Sequence, residues 1–396
     1  MKILVLNFRI YSVEYELFEM PSETEICKGE LKHIGFDDAI LTYTVKNKTT
    51  KIVKPVLNHT AGLEFIIDTL KKCCIKSTDE IDAVGHRVVH GGWSFRSSVL
   101  IDDRVKKEIE SDFLIAPIHN PYNLKGINAA EKLLPGKKNV AVFDTSFHQT
   151  LPEVAFKYAL PERLEQEYKI RKYGFHGISH KYVSQKTAQL LGKKKTTMLS
   201  FHLGAGSSIC AIKDGKSVDT SMGFTPLEGL VMTDRCGDLD CGVVIYLMKL
   251  GWTLTEIENC LNRESGTLGV SGLSDEMKEV VEEAKNGNER AKLAVDIFIY
   301  IAGKYLGAYY FVLGGEIEAI SFTGAIGNNS PYIREKILSG LEKFGIKLDR
   351  KKNDKIIGEE GEISTEDAKI RIFVIPRNEK IQIAKETMEV INGKII

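Results

Sequence analysis

The sequence predicts an α/β protein built as two lobes, and three observations carry that expectation. The chain has 396 residues, enough for two or three domains that each bury a sizeable core. Short β-branched runs alternate with helical patterns along its length, with no low-complexity linker between them. One strand-turn-strand plan also occurs twice, roughly 195 residues apart. Hydrophobic residues at 43% and charged residues at 27% give the balance of a globular chain and exclude a disordered, collagenous or membrane-embedded one. Lys plus Arg equals Asp plus Glu at 54 each, so no net basic field exists to gather nucleic acid or anionic lipid, and recognition must come from local sites.

Taken in order, the runs Ile3 to Leu6, Ala83 to Val84, Val140 to Phe143, Thr197 to Phe201, Ala319 to Phe322 and Ile372 to Ile375 each end in polar or Gly residues. Strands do this where they deliver side chains to a cleft. The first plan is a strand, a break after Asn7, and a second alternating strand from Tyr11 to Phe18. Its repeat runs from Thr197 to Ile212, with His202 to Ser208 as the turn. The glycines there allow close backbone approach and N–H groups aimed at an anion, although the same turn also reads as a hairpin without a ligand. In Ile320 to Pro331 a strand enters a turn, and Asn329 or Ser330 then caps a helix with Pro331 in its first turn. Such a helix start suits a phosphate or ribose, so the two halves suggest a two-lobed nucleotide clamp.

Ala294 to Gly315 is interrupted by Asp296 and Lys304 and reads as a buried helix, not a membrane span. Lys193 to Lys195 and Arg350 to Lys352 read as solvated turns. The N-terminus reaches Asn7 too soon for a secretory signal, which points to the cytoplasm. Seven cysteines, an odd number without C-x-x-C spacing, read as reduced thiols.

Polar groups gather where the apolar strands stop. They are Gly85-His86-Arg87-Val88-Val89-His90-Gly91-Gly92, Ala116-Pro117-Ile118-His119-Asn120-Pro121, Phe143-Asp144-Thr145, Tyr173-Gly174-Phe175-His176-Gly177-Ile178-Ser179-His180, Asp234-Arg235-Cys236-Gly237-Asp238 and Val374-Ile375-Pro376-Arg377-Asn378-Glu379. Singly, each has a plain structural reading: Asp144 a cap, His119 a turn histidine, Glu379 a carboxylate at the start of a helix running to about Ile391. Together they supply two guanidiniums, two imidazoles and two carboxylates. That set suits phosphoryl transfer, where catalysis is mainly positioning and charge neutralisation.

With these motifs the sequence resembles the acetate kinase family from Met1 to about Glu386, as do Phe224-Thr225-Pro226-Leu227-Glu228-Gly229 and Phe143 to His148. The resemblance implies an ASKHA (actin-like ATPase, ribonuclease H-like) fold, each lobe a mixed sheet flanked by helices. It implies an N-terminal lobe of 1–147 plus 381–396 and a C-terminal lobe of 148–380 with the nucleotide loops and a dimer surface. It also implies a homodimer and reversible Mg²⁺- or Mn²⁺-dependent transfer of the ATP γ-phosphate to acetate, giving acetyl phosphate and ADP. No nucleic acid or membrane partner is expected. Arg87 would pair with the substrate carboxylate, with Val89, Ile118, Phe175 and Pro226 around its methyl group. His176 and Arg235, with His119 beside them, would stabilise the transferring phosphoryl, and Asp144 would orient a metal-bound water or move a proton. Asn7 and Glu379 would hold the metal. His202, Leu203, Gly204, Ala205 and Gly206 would contact the phosphates, with Glu276, Met277, Lys278, Ala325, Ile326, Gly327, Asn328 and Asn329 around the nucleotide.

The chain departs from the family pattern on the nucleotide side. The family's Asn-x-Gly-Ser-Ser-Ser-Leu-Lys reads Asn7-Phe8-Arg9-Ile10-Tyr11-Ser12-Val13-Glu14. Ala205 stands for Asn, Glu276-Met277-Lys278 for Asp-x-Arg, and Gly324 to Asn329 for Ala-Gly-Ile-Gly-Glu-Asn. Each lost hydrogen bond to a charged phosphate costs roughly 1.5–3 kcal/mol. Beside the active kinase, two readings therefore stand: a catalytically weak paralogue that binds acetate or acetyl phosphate, and a short-chain carboxylate kinase with another donor such as pyrophosphate.

Overall fold

The apolar run that opens the chain forms β1 (Lys2–Phe8), with six of seven residues buried, in a computed structural model that describes residues 1–394. The chain divides into two units, Met1–Phe147 with the chain from Asn378 onward, and His148–Arg377. Asn378, Glu379 and Lys380 thus group with the first unit.

In the first unit β1 continues into β2 (Ser12–Glu19), β3 (Thr24–Lys32), β4 (Ile40–Val45) and β5 (Lys48–Val53), then β6 (Ala83–Val88), β7 (Val99–Leu100) and β8 (Lys138–Phe143). The sheet order is β5-β4-β3-β2-β1-β6-β8-β7, antiparallel from β5 to β1 and parallel across β1, β6 and β8. Side chains alternate between faces. Leu4, Leu6 and Val84 pack with Leu63, Ile66, Leu70, Ala129 and Ala130 of the helices His59–Cys73 and Asn120–Leu133. Gly85 leaves room for Ile383 and Thr387 of the helix Glu379–Ile391, since a Cβ there would meet Thr387 Oγ1 at 2.4 Å.

The second unit repeats the plan with β9 (Met198–Leu203), β10 (Ser207–Lys213), β11 (Lys216–Thr220), β12 (Ala319–Thr323), β13 (Gly361–Glu362) and β14 (Arg371–Val374). Its order is β11-β10-β9-β12-β14-β13, with the same antiparallel meander followed by parallel strands. This is the duplicated mixed-sheet architecture that the resemblance implied. Leu199, Phe201, Ile209, Ile320 and Phe322 pack against the helix Glu289–Val312. The alternate positions are polar: Ser200, Ser208 and Ser321 bond His180 and Thr187 of the helix Gly177–Leu190.

Three expectations change. The Ala294 to Gly315 stretch is helical as far as Val312 but one-faced, for Tyr300 and Phe311 are 68% and 84% exposed. Arg350 to Lys352 begin a helix, Arg350–Lys355, because the Asp349 carboxylate caps it by accepting from the Lys352 N–H. Ala325 to Asn329 lie in a short helix, Gly324–Asn329, where a turn was expected. No described helix is long and apolar enough to cross a membrane.

Candidate active site

In the first unit the polar residues stand at the C-terminal ends of the parallel strands. Asn7 is the penultimate residue of β1, Arg87 lies in β6, and Asp144 follows β8, its N–H bonded to Val88 O. Arg87 Nε donates to Asp144 Oδ2 at 3.1 Å, Nη2 donates to the same oxygen at 2.5 Å, and Nη1 reaches Asn7 Oδ1 at 3.4 Å. Asn7 and Asp144 are 4% and 2% exposed. Burial raises the Asp144 pKa and Arg87 pulls it back down. Burial also opposes the Arg87 charge, but Asp144 and Glu379 outweigh it, so Arg87 holds its proton more firmly than a free guanidinium. Glu379 begins its helix, with Asn378 as the cap that accepts from Ile381 N–H.

The glycine motif after β6 has a steric cause. A Cβ on Gly91 would meet Phe143 at 2.9 Å, and Gly92 has φ +56° with Asp112 where a side chain would go. Two asparagines fix this loop. Asn120 exchanges bonds with the His90 backbone, while Asn123 accepts from Val89 N–H and donates to Phe8 O. Asn120 was visible within Ile118-His119-Asn120-Pro121, but only the fold reveals its positioning role and that of Asn123. His119 precedes the helix Asn120–Leu133, Val89 is buried, and Ile118 is 41% exposed.

The altered first loop is organised by charge. Arg9 Nη2 meets Glu14 Oε1 at 2.7 Å and Lys380 Nζ meets Glu14 Oε2 at 3.2 Å. Phe8 is buried, and a Cβ on Gly126 would strike its ring at 2.2 Å.

In the second unit the glycine turn narrows to Gly204-Ala205-Gly206, since β9 and β10 extend through His202, Leu203, Ser207 and Ser208. His176, at φ +57°, precedes the helix Gly177–Leu190, and its Nδ1 lies 2.9 Å from Ser208 Oγ. Its ring stacks on His202 at 4.1 Å, and Ser179 Oγ lies 2.8 Å from His202 Nδ1. A Cβ on Gly206 would stand 3.3 Å from His176 Nε2 and 3.5 Å from Arg235 Nη1, so both groups border that glycine. Thr233 N–H donates to Ala205 O, and Arg235 Nη1 donates to Pro226 O at 3.3 Å. Burial lowers the Arg235 pKa. Phe175 is buried and Pro226 half-buried.

Gly324 sits at φ +81°, where a Cβ would lie 2.3 Å from Leu203 O, so glycine is required where the chain leaves β12 beside the end of β9. Beyond it opens a cavity of about 690 Å³, bordered by Glu276, Met277, Lys278, Ala325, Ile326 and Asn329 among others. Leu203, Gly327 and Asn328 are buried and do not border it. The Leu203 side chain belongs to the core.

Residues 2–385 match the profile of the Acetokinase family. The chain is 47% identical over 393 residues to an acetate kinase of Finegoldia magna, covering 98% of this chain and 99% of that one. An acetate kinase of Porphyromonas gingivalis superposes with a TM-score of 0.93 at 44% identity, covering 98% of this chain and 99% of that one. A propionate kinase of Francisella tularensis does so at 0.92 and 39%, with the same coverage. Full-length agreement in sequence and in duplicated architecture, with the Arg87, Asp144 and His176 motifs in place, makes this chain a member of the acetokinase family.

Proposed function

We propose that this chain is an acetate kinase, transferring the γ-phosphate of ATP in line to acetate to give acetyl phosphate and ADP, reversibly. The observation that supports this best is the buried Asn7-Arg87-Asp144 cluster at the strand ends of the first unit. It offers a fixed guanidinium for a carboxylate and a carboxylate of its own for proton or water positioning.

Arg87 binds the acetate carboxylate, and the apolar residues Val89 and Ile118, with Phe175 and Pro226 of the second unit, are assigned to its methyl group. Shape there limits chain length only modestly, at about 1–3 kcal/mol per methylene. His176 and Arg235, with His119, stabilise negative charge on the transferring phosphoryl. The backbone at Gly204, Ala205 and Gly206 contacts the polyphosphate, and the cavity by Glu276 to Lys278, Ala325, Ile326 and Asn329 takes the nucleoside. Asn7, Asp144 and Glu379 present only oxygen donors, and burial makes Asp144 favour a further cation, so the set fits Mg²⁺ or Mn²⁺ held by Asn7 and Glu379 directly or through water. A bound ion would neutralise phosphate charge there. A homodimer working in the cytoplasm completes the reading.

The first loop need not abolish donor binding. Two cations, Arg9 and Lys380, flank one anion, Glu14, leaving a net charge of +1 with the sign of the family's lysine. We assign Arg9, whose side chain is 46% exposed, to the donor phosphates. Arg9→Ala is expected to raise KM for ATP about tenfold or more, on the worth of one charge-assisted bond, with KM for acetate unchanged. Equal effects on both constants would contradict that assignment.

Hydroxamate trapping of acyl phosphate tests the whole reading, using the protein with Mg²⁺, ATP and acetate beside propionate, butyrate and pyrophosphate. Acetyl hydroxamate with ATP is the expected product. Product only with pyrophosphate would transfer the donor role, and acetate binding without product in any well would make the chain a non-catalytic paralogue.

A further inference from the structure

Three of the seven free thiols meet although no spacing in the sequence announces it. Cys27 lies in β3 and is fully buried. Cys73 ends the helix His59–Cys73, and Cys74 follows as its C-cap, both nearer the surface. The Sγ atoms of Cys73 and Cys74 are 3.1 Å apart, and all three sulfurs lie within 4.8 Å of one another. With metal–sulfur bonds of about 2.3 Å, thiolates sharing one ion stand about 3.7–4.0 Å apart, so small side-chain rotations bring the three to one centre.

A second observation points to the same spot. The Tyr15 hydroxyl is fully buried, makes no hydrogen bond of good geometry to any oxygen or nitrogen, lies against the Cys27 thiol, and feels all three thiols electrostatically. Its place is built in: a Cβ on Gly29 would meet the Tyr15 ring at 2.7 Å, so glycine in β3 makes room for that ring. A buried hydroxyl whose neighbour is a thiol, a weak hydrogen-bond partner, is costly unless something else satisfies it.

We propose that Cys27, Cys73 and Cys74 bind one thiophilic d¹⁰ metal ion of the Zn²⁺, Cd²⁺ or Cu⁺ class, with the Tyr15 oxygen or a water completing the shell. Soft thiolates select such ions over the hard Mg²⁺ assigned to Asn7 and Glu379. Binding a divalent ion forms three metal–sulfur bonds and releases three protons to solvent. The ion would pin the end of the helix His59–Cys73 to β3. Lys71 and Lys72, in the helix's last turn, offset the anionic centre.

The test titrates the full-length, reduced protein with Cd²⁺ alone under argon. The readouts are the sulfur-to-metal charge-transfer absorption, the cadmium retained per chain after desalting, and protons released in weak buffer. One tightly held ion per chain and three protons are expected. Cys73→Ser and Cys74→Ser, at positions near the surface, should each weaken binding about 100-fold or more, beyond the 10–100-fold typical of changes outside the ligand shell. Cys241→Ser, at an exposed thiol elsewhere, should bind as the parent does. No retained cadmium, or undiminished binding by Cys73→Ser and Cys74→Ser, would overturn the site.

Discussion

At Arg87 two demands meet, since the guanidinium proposed to hold a substrate carboxylate is already bonded to Asp144 and reaches Asn7. Its fork geometry permits both, because five donors in one plane serve more than one acceptor. Arg87→Ala is therefore expected to lower kcat/KM for acetate about 10- to 150-fold, the equivalent of about 1.5–3 kcal/mol for a charge-assisted bond, with KM for acetate rising far more than KM for ATP. The same change leaves Asp144 buried without its cation, so its carboxyl protonates at higher pH and the acid limb of the activity profile moves upward. Steady-state kinetics across pH decides the matter: an unmoved KM for acetate would remove Arg87 from the acyl site.

The helix Gly177–Leu190 shows how an element delivers chemistry. His176, one residue before it, and His180, one turn in, both bond Ser208 Oγ on β10, and His180 continues to Ser200 on β9. Burial drives the His180 pKa well below its ordinary value, so this neutral imidazole acts as a fixed bracket behind His176, the residue proposed to face the transferring phosphoryl. Ser208→Ala should destabilise the second unit by about 1–3 kcal/mol by orphaning a buried ring nitrogen, and should lower kcat more than KM because His176 loses its orientation. Ser208→Thr, which keeps the hydroxyl, should recover much of kcat, and a Thr variant as slow as Ala would count against orientation through Ser208. The strands of this bracket were legible in the sequence, since Thr197 to Phe201 is a short, mostly apolar run with a glycine turn after it. The helix Gly324–Asn329 was not, because glycine and asparagine favour turns and only the close approach of Gly324 to Leu203 O explains the conformation. The Asp349 cap was a readable signal that the charge run behind it obscured. Motifs located Arg87, Asp144 and His176, but their hydrogen-bond partners, like the meeting of Cys27 with Cys73 and Cys74, depend on register and packing that one sequence does not display.

Across the whole chain, the two units carry comparable polar liabilities inside comparable sheets. His86 in β6 is buried, and its Nε2–H donates to Asn139 Oδ1, an orientation fixed because Asn139 Nδ2 donates to Lys137 O. Burial lowers the His86 pKa to about 4, and that of His148 in the second unit likewise to about 4. Between pH 4 and 6.5 the unfolded chain binds a proton at each site that the folded chain refuses, so the contribution of each histidine to stability rises with pH across that window. It is fully present above about pH 6.5 and lost below about pH 4, with a magnitude on the order of 3 kcal/mol per site. The two tryptophans, Trp93 in the first unit and Trp252 in the second, allow the units to be followed separately. In Trp252→Phe, the pH slope of unfolding stability read at Trp93 between pH 4 and 6.5 combines His86 with the opposing contribution of buried Glu16, whose pKa is pushed up to about 7, and adding His86→Gln should shift that slope downward. In Trp93→Phe, the signal from Trp252 should keep its pH dependence when His86→Gln is added, because His148 remains. An unchanged slope at Trp93 with His86→Gln would mean that His86 does not contribute this acid lability, while a downward shift at both tryptophans would mean that the units unfold as one cooperative body.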